Sequence, residues 1–175
     1  GRNYSRRQFA EAVNSVAATL YSHSVNRGDR VAMVMNPGPD LATALIGAMS
    51  VAVVAPLAPS LPVAVFIDRL ARLRATQVVV DHDPPEAVVE AALKVGIPIL
   101  EITPFGEPGP ALALPNPDSA DLALLLETAG TSGVPKVVPL SHGNLRAAAG
   151  WVADTFALGP ADRSLAMMPL YHSMG

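Results

Sequence analysis

An α/β fold, with a mostly parallel sheet or sheets flanked by helices, is what this sequence predicts, and three observations predict it. Short apolar runs alternate with helix-period segments along most of the 175 residues. The runs are continuously apolar, as at Val31–Met35 and Val78–Val80, so both faces of each strand are expected to be covered. Half of the residues are apolar and 15% are charged, which is enough apolar material for a sizeable core and too little charge for a disordered chain.

Each element follows from local signals. Ser5 and Gln8 form a capping box for a helix whose inner face is Phe9, Val13, Val16, Ala17 and Leu20. Gly28 is expected to terminate it, with Gly28-Asp29 turning into the strand Val31–Met35. Pro39 and Asp40 open a helix through Ser50, and β-branched Val51–Ala55 reads as a strand. Ser60 and Pro62 start a third helix with Val63, Phe66, Ile67 and Leu70 inward. Gln77–Val80 is a strand, and Pro84-Pro85 precede a helix stopped by Gly96. Ile97–Ile102 is a further strand. Leu122–Leu126 and Lys136–Leu140 are two more, and Ser141 caps a helix carrying Leu145, Ala149, Val152 and Phe156. Gly159-Pro160 is expected to end that helix, and Leu165–Met168 to form a last strand. The organisation expected is an alternating lobe over 1–102, a Pro/Gly-rich connector over 103–120, and an incomplete unit over 121–175.

Charge and composition exclude several functions. Residues 1–74 hold eight Lys/Arg and four acids, and residues 75–135 hold one Lys and nine acids. No basic stripe exists for a phosphate backbone, so nucleic acid is not an expected partner. The absence of cysteine excludes disulfides, a Cys nucleophile and a thiolate metal site, and suits a cytoplasmic location. The first residues, Gly1–Phe9, contain no apolar signal-peptide stretch. Leu41–Ile67 carries no charge, but its proline-free part, Leu41–Ala55, is 15 residues. A spanning helix needs about 20, so no membrane span is expected.

Chemistry concentrates at Thr128-Ala129-Gly130-Thr131-Ser132-Gly133-Val134-Pro135-Lys136, between two expected strands. Glycines let backbone N–H groups turn toward an anion, hydroxyls donate without charge, and the lysine adds a point charge. These are the components of a polyphosphate site. The segment is not a Walker A loop, because Val-Pro-Lys and a strand follow Gly133. An ordinary Gly/Thr/Ser hairpin turn is the plain alternative.

The stretch from Ala120 to Leu145, including Thr128–Lys136 and Ser141-His142-Gly143-Asn144-Leu145, resembles the phosphate-loop signature of the adenylate-forming (AMP-dependent) ligases. Gly28-Asp29-Arg30-Val31-Ala32, Ala55-Pro56-Leu57-Ala58-Pro59 and Met168–Gly175 resemble further segments of that family, in family order. The resemblance is strongest to acyl-CoA synthetases and covers essentially the whole chain. Ala129 stands where the family has Ser, Ser132 where it has Thr, and Val137 where it has Gly.

The resemblance implies part of the large N-terminal domain of an enzyme that joins a carboxylic acid to ATP as an acyl-adenylate. A thiol, commonly that of coenzyme A, then takes the acyl group. It implies that Thr128, Ala129, Gly130, Thr131, Ser132, Gly133 and Lys136 surround the β- and γ-phosphates of ATP. Thr128 is then expected near Mg²⁺, and His172 beside the acyl-adenylate as the catalytic-site histidine, with Tyr171 before it. The family's adenine, ribose and lid residues lie further downstream, so the chain is expected to be inactive alone and to rest on the remainder of the enzyme. The alternatives are a non-catalytic relative that binds nucleotide or self-associates through apolar faces, and an unrelated α/β domain with a similar loop. The other singular residues are expected to be structural: His142 as helix-start structure, His23 on the surface, Trp151 in the core. Asp81-His82-Asp83 sit adjacent at a strand end and point to opposite faces, a poor metal set.

Overall fold

The computed structural model describes residues 3–106, 109, 113, 116–128 and 135–171. Helix α1 (Arg6–Ser22) starts at the expected capping box: Ser5 accepts from the Gln8 amide, and Gln8 returns the bond to the Ser5 amide. It ends at His23, five residues before Gly28, which instead takes a positive φ (+93°) in the turn into β1 (Arg30–Val34). The helix stops earlier than the glycine because the His23, Ser24 and Val25 amides bond back to the last turn. Helix α2 (Pro39–Met49), β2 (Val53–Pro56), α3 (Val63–Leu73), β3 (Gln77–Val80), α4 (Glu86–Val95) and β4 (Ile99–Glu101) follow close to their sequence expectations.

Beyond the connector lie β5 (Leu122–Thr128), β6 (Lys136–Ser141) and α5 (His142–Thr155). One sheet joins all six strands in the order β4-β3-β1-β2-β5-β6, parallel except for the antiparallel β5–β6 hairpin. The sheet therefore continues across the 103–120 connector, with Leu124 of β5 in register with Val54 of β2.

Strand alternation sends neighbouring residues into two separate cores. Val31 and Met33 face α1 and α2, packing with Val16, Leu20, Leu41 and Ala48. Ala32 and Val34 face α3 and α4, packing with Phe66, Leu70, Val88 and Ala92. On the first face α1 and α2 meet so closely that a Cβ on Gly47 would lie 2.6 Å from the Val13 carbonyl oxygen. Only glycine fits that crossing.

Three expectations are corrected. Trp151 is not in the core: it is 73% exposed, and Val152 and Phe156 on the same helix are exposed as well. Helix α5 buries no residue and rests mainly on edge strand β6, so its apolar stripe has too little surface to cover it. Leu165–Met168 is not a strand, because no described strand lies alongside to accept its backbone groups. Helix α5 also ends at Thr155, ahead of Gly159-Pro160, with the Phe156 amide bonding back into its last turn.

Candidate functional site

The carboxyl ends of β2 and β5 lie side by side, and the chain leaves them in opposite directions. After β2 it crosses through α3 to β3 on one side, and after β5 it returns as β6 on the other. In open α/β sheets such divergence opens a crevice above the strand ends. Here that crevice is an open cleft lined by Leu57, Arg69, Glu127, Thr128, Pro135 and Tyr171, among others.

Thr128, at one end of the hydroxyl-and-glycine segment, lines this cleft, and so does Pro135, which precedes Lys136 at the other. Thr128 and Lys136 are register partners across the hairpin, and the Thr128 Oγ1 donates to the Lys136 carbonyl oxygen at 3.4 Å. Thr128 is half-buried, whereas Lys136 is exposed. Lys136 makes no ion pair among the described residues, which leaves its ammonium available to an anion from solvent. Ala129, Gly130, Thr131, Ser132, Gly133 and His172 lie outside the described residues. Tyr171, the neighbour of His172, does line the cleft. Thr128 and Tyr171, 43 positions apart in the chain, are thus brought to one hollow.

Two charged residues of the cleft are absent from the sequence expectations. Arg69, on α3, forms an ion pair with Glu127. The Glu127 side chain is 9% exposed, and its Oε1 has no hydrogen-bond partner among the described residues. Burial pushes the Arg69 guanidinium below its ordinary pKa, adjacent Arg72 adds to the effect, and Asp68 opposes it. A carboxylate closing the apolar run Leu122–Leu126 is the one sequence signal that could have singled out Glu127. Nothing local marks Arg69, whose role depends on α3 lying behind β5.

The other histidines lie elsewhere. The His142 Nε2 is 3.0 Å from the Met49 carbonyl oxygen, tying the start of α5 to the end of α2. His142 lines a smaller hollow beside the amino ends of β2 and β5. That hollow is mostly apolar and holds none of the Thr128–Lys136 segment, so the larger, more polar cleft at the carboxyl ends is the better candidate. His23 is exposed at the end of α1, and His82 pairs with Glu101 at 3.2 Å. Asp81 accepts from the Asn36 amide and side chain at 2.8 and 3.0 Å, a bridge between the exits of β1 and β3.

A mostly parallel sheet with helices packed on both faces of its β4-β3-β1-β2 part, and a cleft above diverging strand ends, is a three-layer α/β arrangement of the kind that receives ligands at the carboxyl ends of its strands. The family described as AMP-binding enzyme matches residues 1–175, and the chain belongs to that family. It is 31% identical over 89% of its length to the L-proline–(L-prolyl-carrier protein) ligase of Streptomyces coelicolor, and covers 33% of that protein. It is 30% identical over 91% of its length to the 3-hydroxybenzoate–CoA ligase of an Aromatoleum species, again covering 33%. The crystal structure of apo MatB from Rhodopseudomonas palustris superposes with a TM-score of 0.87 at 24% identity, over 100% of this chain and 37% of that one. That likeness shows a shared fold. The chain spans about a third of the length of the curated relatives named here.

Proposed function

We propose that this chain is the phosphate-holding portion of an ATP-dependent acid–thiol ligase. Such an enzyme forms an acyl-adenylate from a carboxylic acid and ATP, releases pyrophosphate, and passes the acyl group to a thiol. The observation that carries the reading is the hairpin pinned at Thr128 and Lys136 beside an open cleft at the carboxyl ends of β2 and β5. Family membership supports the adenylate step. The thiol is that of coenzyme A or of a carrier protein, and both kinds of acceptor occur in the names of the similar ligases.

In this reading the protein does little covalent work. It orients the triphosphate and stabilises charge on the departing pyrophosphate. The 128–136 segment surrounds the β- and γ-phosphates, with Lys136 supplying a cation and Thr128, Thr131 and Ser132 neutral donors. A half-buried hydroxyl at the cleft, on Thr128, and an exposed ammonium on its register partner Lys136 support a magnesium-bound triphosphate. Mg²⁺ would sit near Thr128 and neutralise phosphate charge. His172 follows cleft-lining Tyr171 in the chain, and its proposed role is beside the acyl-adenylate. The exposed apolar residues of α5 and of the segment after it pack against further protein, and the relatives' greater length supports that. By itself the chain is proposed to bind ATP without turning over carboxylates.

Calorimetric titration of the chain with ATP, with and without Mg²⁺, tests the reading. Binding is expected, and Lys136→Ala should weaken it about tenfold or more, in line with the roughly 1.5–3 kcal/mol of a charged hydrogen bond. Absence of measurable binding by the folded wild-type chain overturns the proposal. Pyrophosphate release with a panel of carboxylates checks the lack of turnover.

A further inference from the structure

We propose that Arg69 and Arg72 are positioning residues that clamp the two ends of the 128–136 segment from behind, an inference that rests on the nucleotide reading above. The two arginines stand three apart on α3 and so share one side of the helix. Arg69 pairs with Glu127, the residue immediately before Thr128. The Arg72 Nη1 donates to the carbonyl oxygen of Pro135, the residue immediately before Lys136, at 3.3 Å. Asp68 in turn holds the Arg72 Nη2 at 2.7 Å, which fixes the direction of that guanidinium. One turn of helix therefore holds the residue before each of the two described residues assigned to phosphate, Glu127 through its carboxylate and Pro135 through its carbonyl oxygen.

Stability gives a poor account of this arrangement. A buried ion pair seldom adds net stability over well-packed apolar side chains, since both charges lose water. Arg69 and Glu127 are 21% and 9% exposed, on a face otherwise filled by Phe66, Leu70, Leu73 and Leu125. What a directional pair provides there is a fixed location. A segment that must present amides and hydroxyls to a polyphosphate depends on geometry held to a fraction of an ångström. Pairing to the strand end on one side and to the backbone carbonyl on the other fixes the span of the segment.

The test uses the chain itself, with Mg·ATP as the probe. Arg69→Met alone would leave Glu127 buried without its partner and risks misfolding. The informative variant is therefore the double substitution Arg69→Met with Glu127→Met, alongside Arg72→Met and Arg72→Lys. The expected result is a melting temperature kept or raised in the double variant, with affinity for Mg·ATP lowered about tenfold, which corresponds to about 1.4 kcal/mol. Arg72→Met should also weaken binding, and Arg72→Lys, which keeps a donor for the Pro135 carbonyl, should restore part of it. Hydrogen exchange of peptides spanning 126–138 should be faster in the double variant and in Arg72→Met, with or without ATP. Variants that fold, bind Mg·ATP as the wild type does and exchange at wild-type rates overturn the clamp and leave the nucleotide reading standing. A wild-type chain that binds no Mg·ATP overturns that reading, and with it the purpose assigned to the clamp. Exchange then decides whether the arginines hold the segment at all.

Discussion

On the β4-β3-β1-β2 side of the sheet, helices cover both faces and Leu20, Met33, Phe66 and Val79 are fully buried. On the β6 side, α5 buries nothing, and Leu165 and Met167 after it are each 82% exposed. Both regions have amphipathic helices opened by a Ser capping box, at Ser5 in one and Ser141 in the other. Local instructions are therefore equally clear on the two sides. The difference is in what each helix meets. Helices α1 and α2 pack on each other as well as on strands, and so do α3 and α4, whereas α5 rests mainly on one edge strand. A periodic apolar face commits residues to one side of a helix but does not supply the surface that buries them.

The sharpest way to break this comparison is to cut into the closed side. Phe66 is fully buried between α3 and the sheet. Phe66→Ala should cost about 3–5 kcal/mol, read as a fall in the urea midpoint of the chain. A cost below about 1 kcal/mol would mean that this side is loosely packed, and the contrast with α5 would fail.

The same contrast explains what was legible in the sequence. Strand Gln77–Val80 agrees with the structure residue for residue, because its apolar run is bounded by polar and proline signals and its burial needs only adjacent elements. The capping box at Ser5 and the cap at Ser141 were legible for the same reason, whereas the bond that Asn144 returns to Ser141 was not, because Asn stands where a Glu or Gln marks the motif. Trp151 was misplaced and Leu165–Met168 was given a strand, since both readings assumed a covering surface that the described residues do not provide. At the site, Thr128, Lys136 and Tyr171 stood out through their motifs. Arg69 and Glu127 did not, because a pair 58 positions apart becomes visible only when strand order sets α3 behind β5.

A second prediction probes the seam between the two sides. Arg27, in the turn between α1 and β1, pairs with Asp121 at the start of β5. Partial burial pushes the Asp121 carboxyl up. The Asp118 amide, at 2.7 Å, together with Arg27 and His142, outweighs that and holds it below the ordinary carboxylate value. A group with a depressed folded pKa stabilises the protein above its unfolded value, about 4 for Asp, and loses that stabilisation as pH falls through the folded value. Wild type should therefore melt above Asp121→Asn at neutral pH, with the gap narrowing only below about pH 4. A gap that persists unchanged to pH 2 would show that the carboxylate's charge does not join the two sides.

The smallest effect belongs to the exposed side. Trp151 is the sole tryptophan, and its side chain lies largely in solvent. Trp151→Ser should change stability by no more than about 0.5 kcal/mol, because it removes little buried area. The indole also reports on its own surroundings. In dilute solution its emission should match solvated tryptophan, and a shift to shorter wavelength on raising protein concentration would mean that a second copy covers α5. If the shift occurs and Phe156→Ser, which keeps the indole and removes an exposed apolar neighbour on α5, abolishes it, the apolar stripe is a self-association face, and the open side of the sheet is closed by assembly. If emission stays red at every concentration, the stripe does not pair with itself, and further protein of a different sequence is the remaining cover for an apolar surface of this kind.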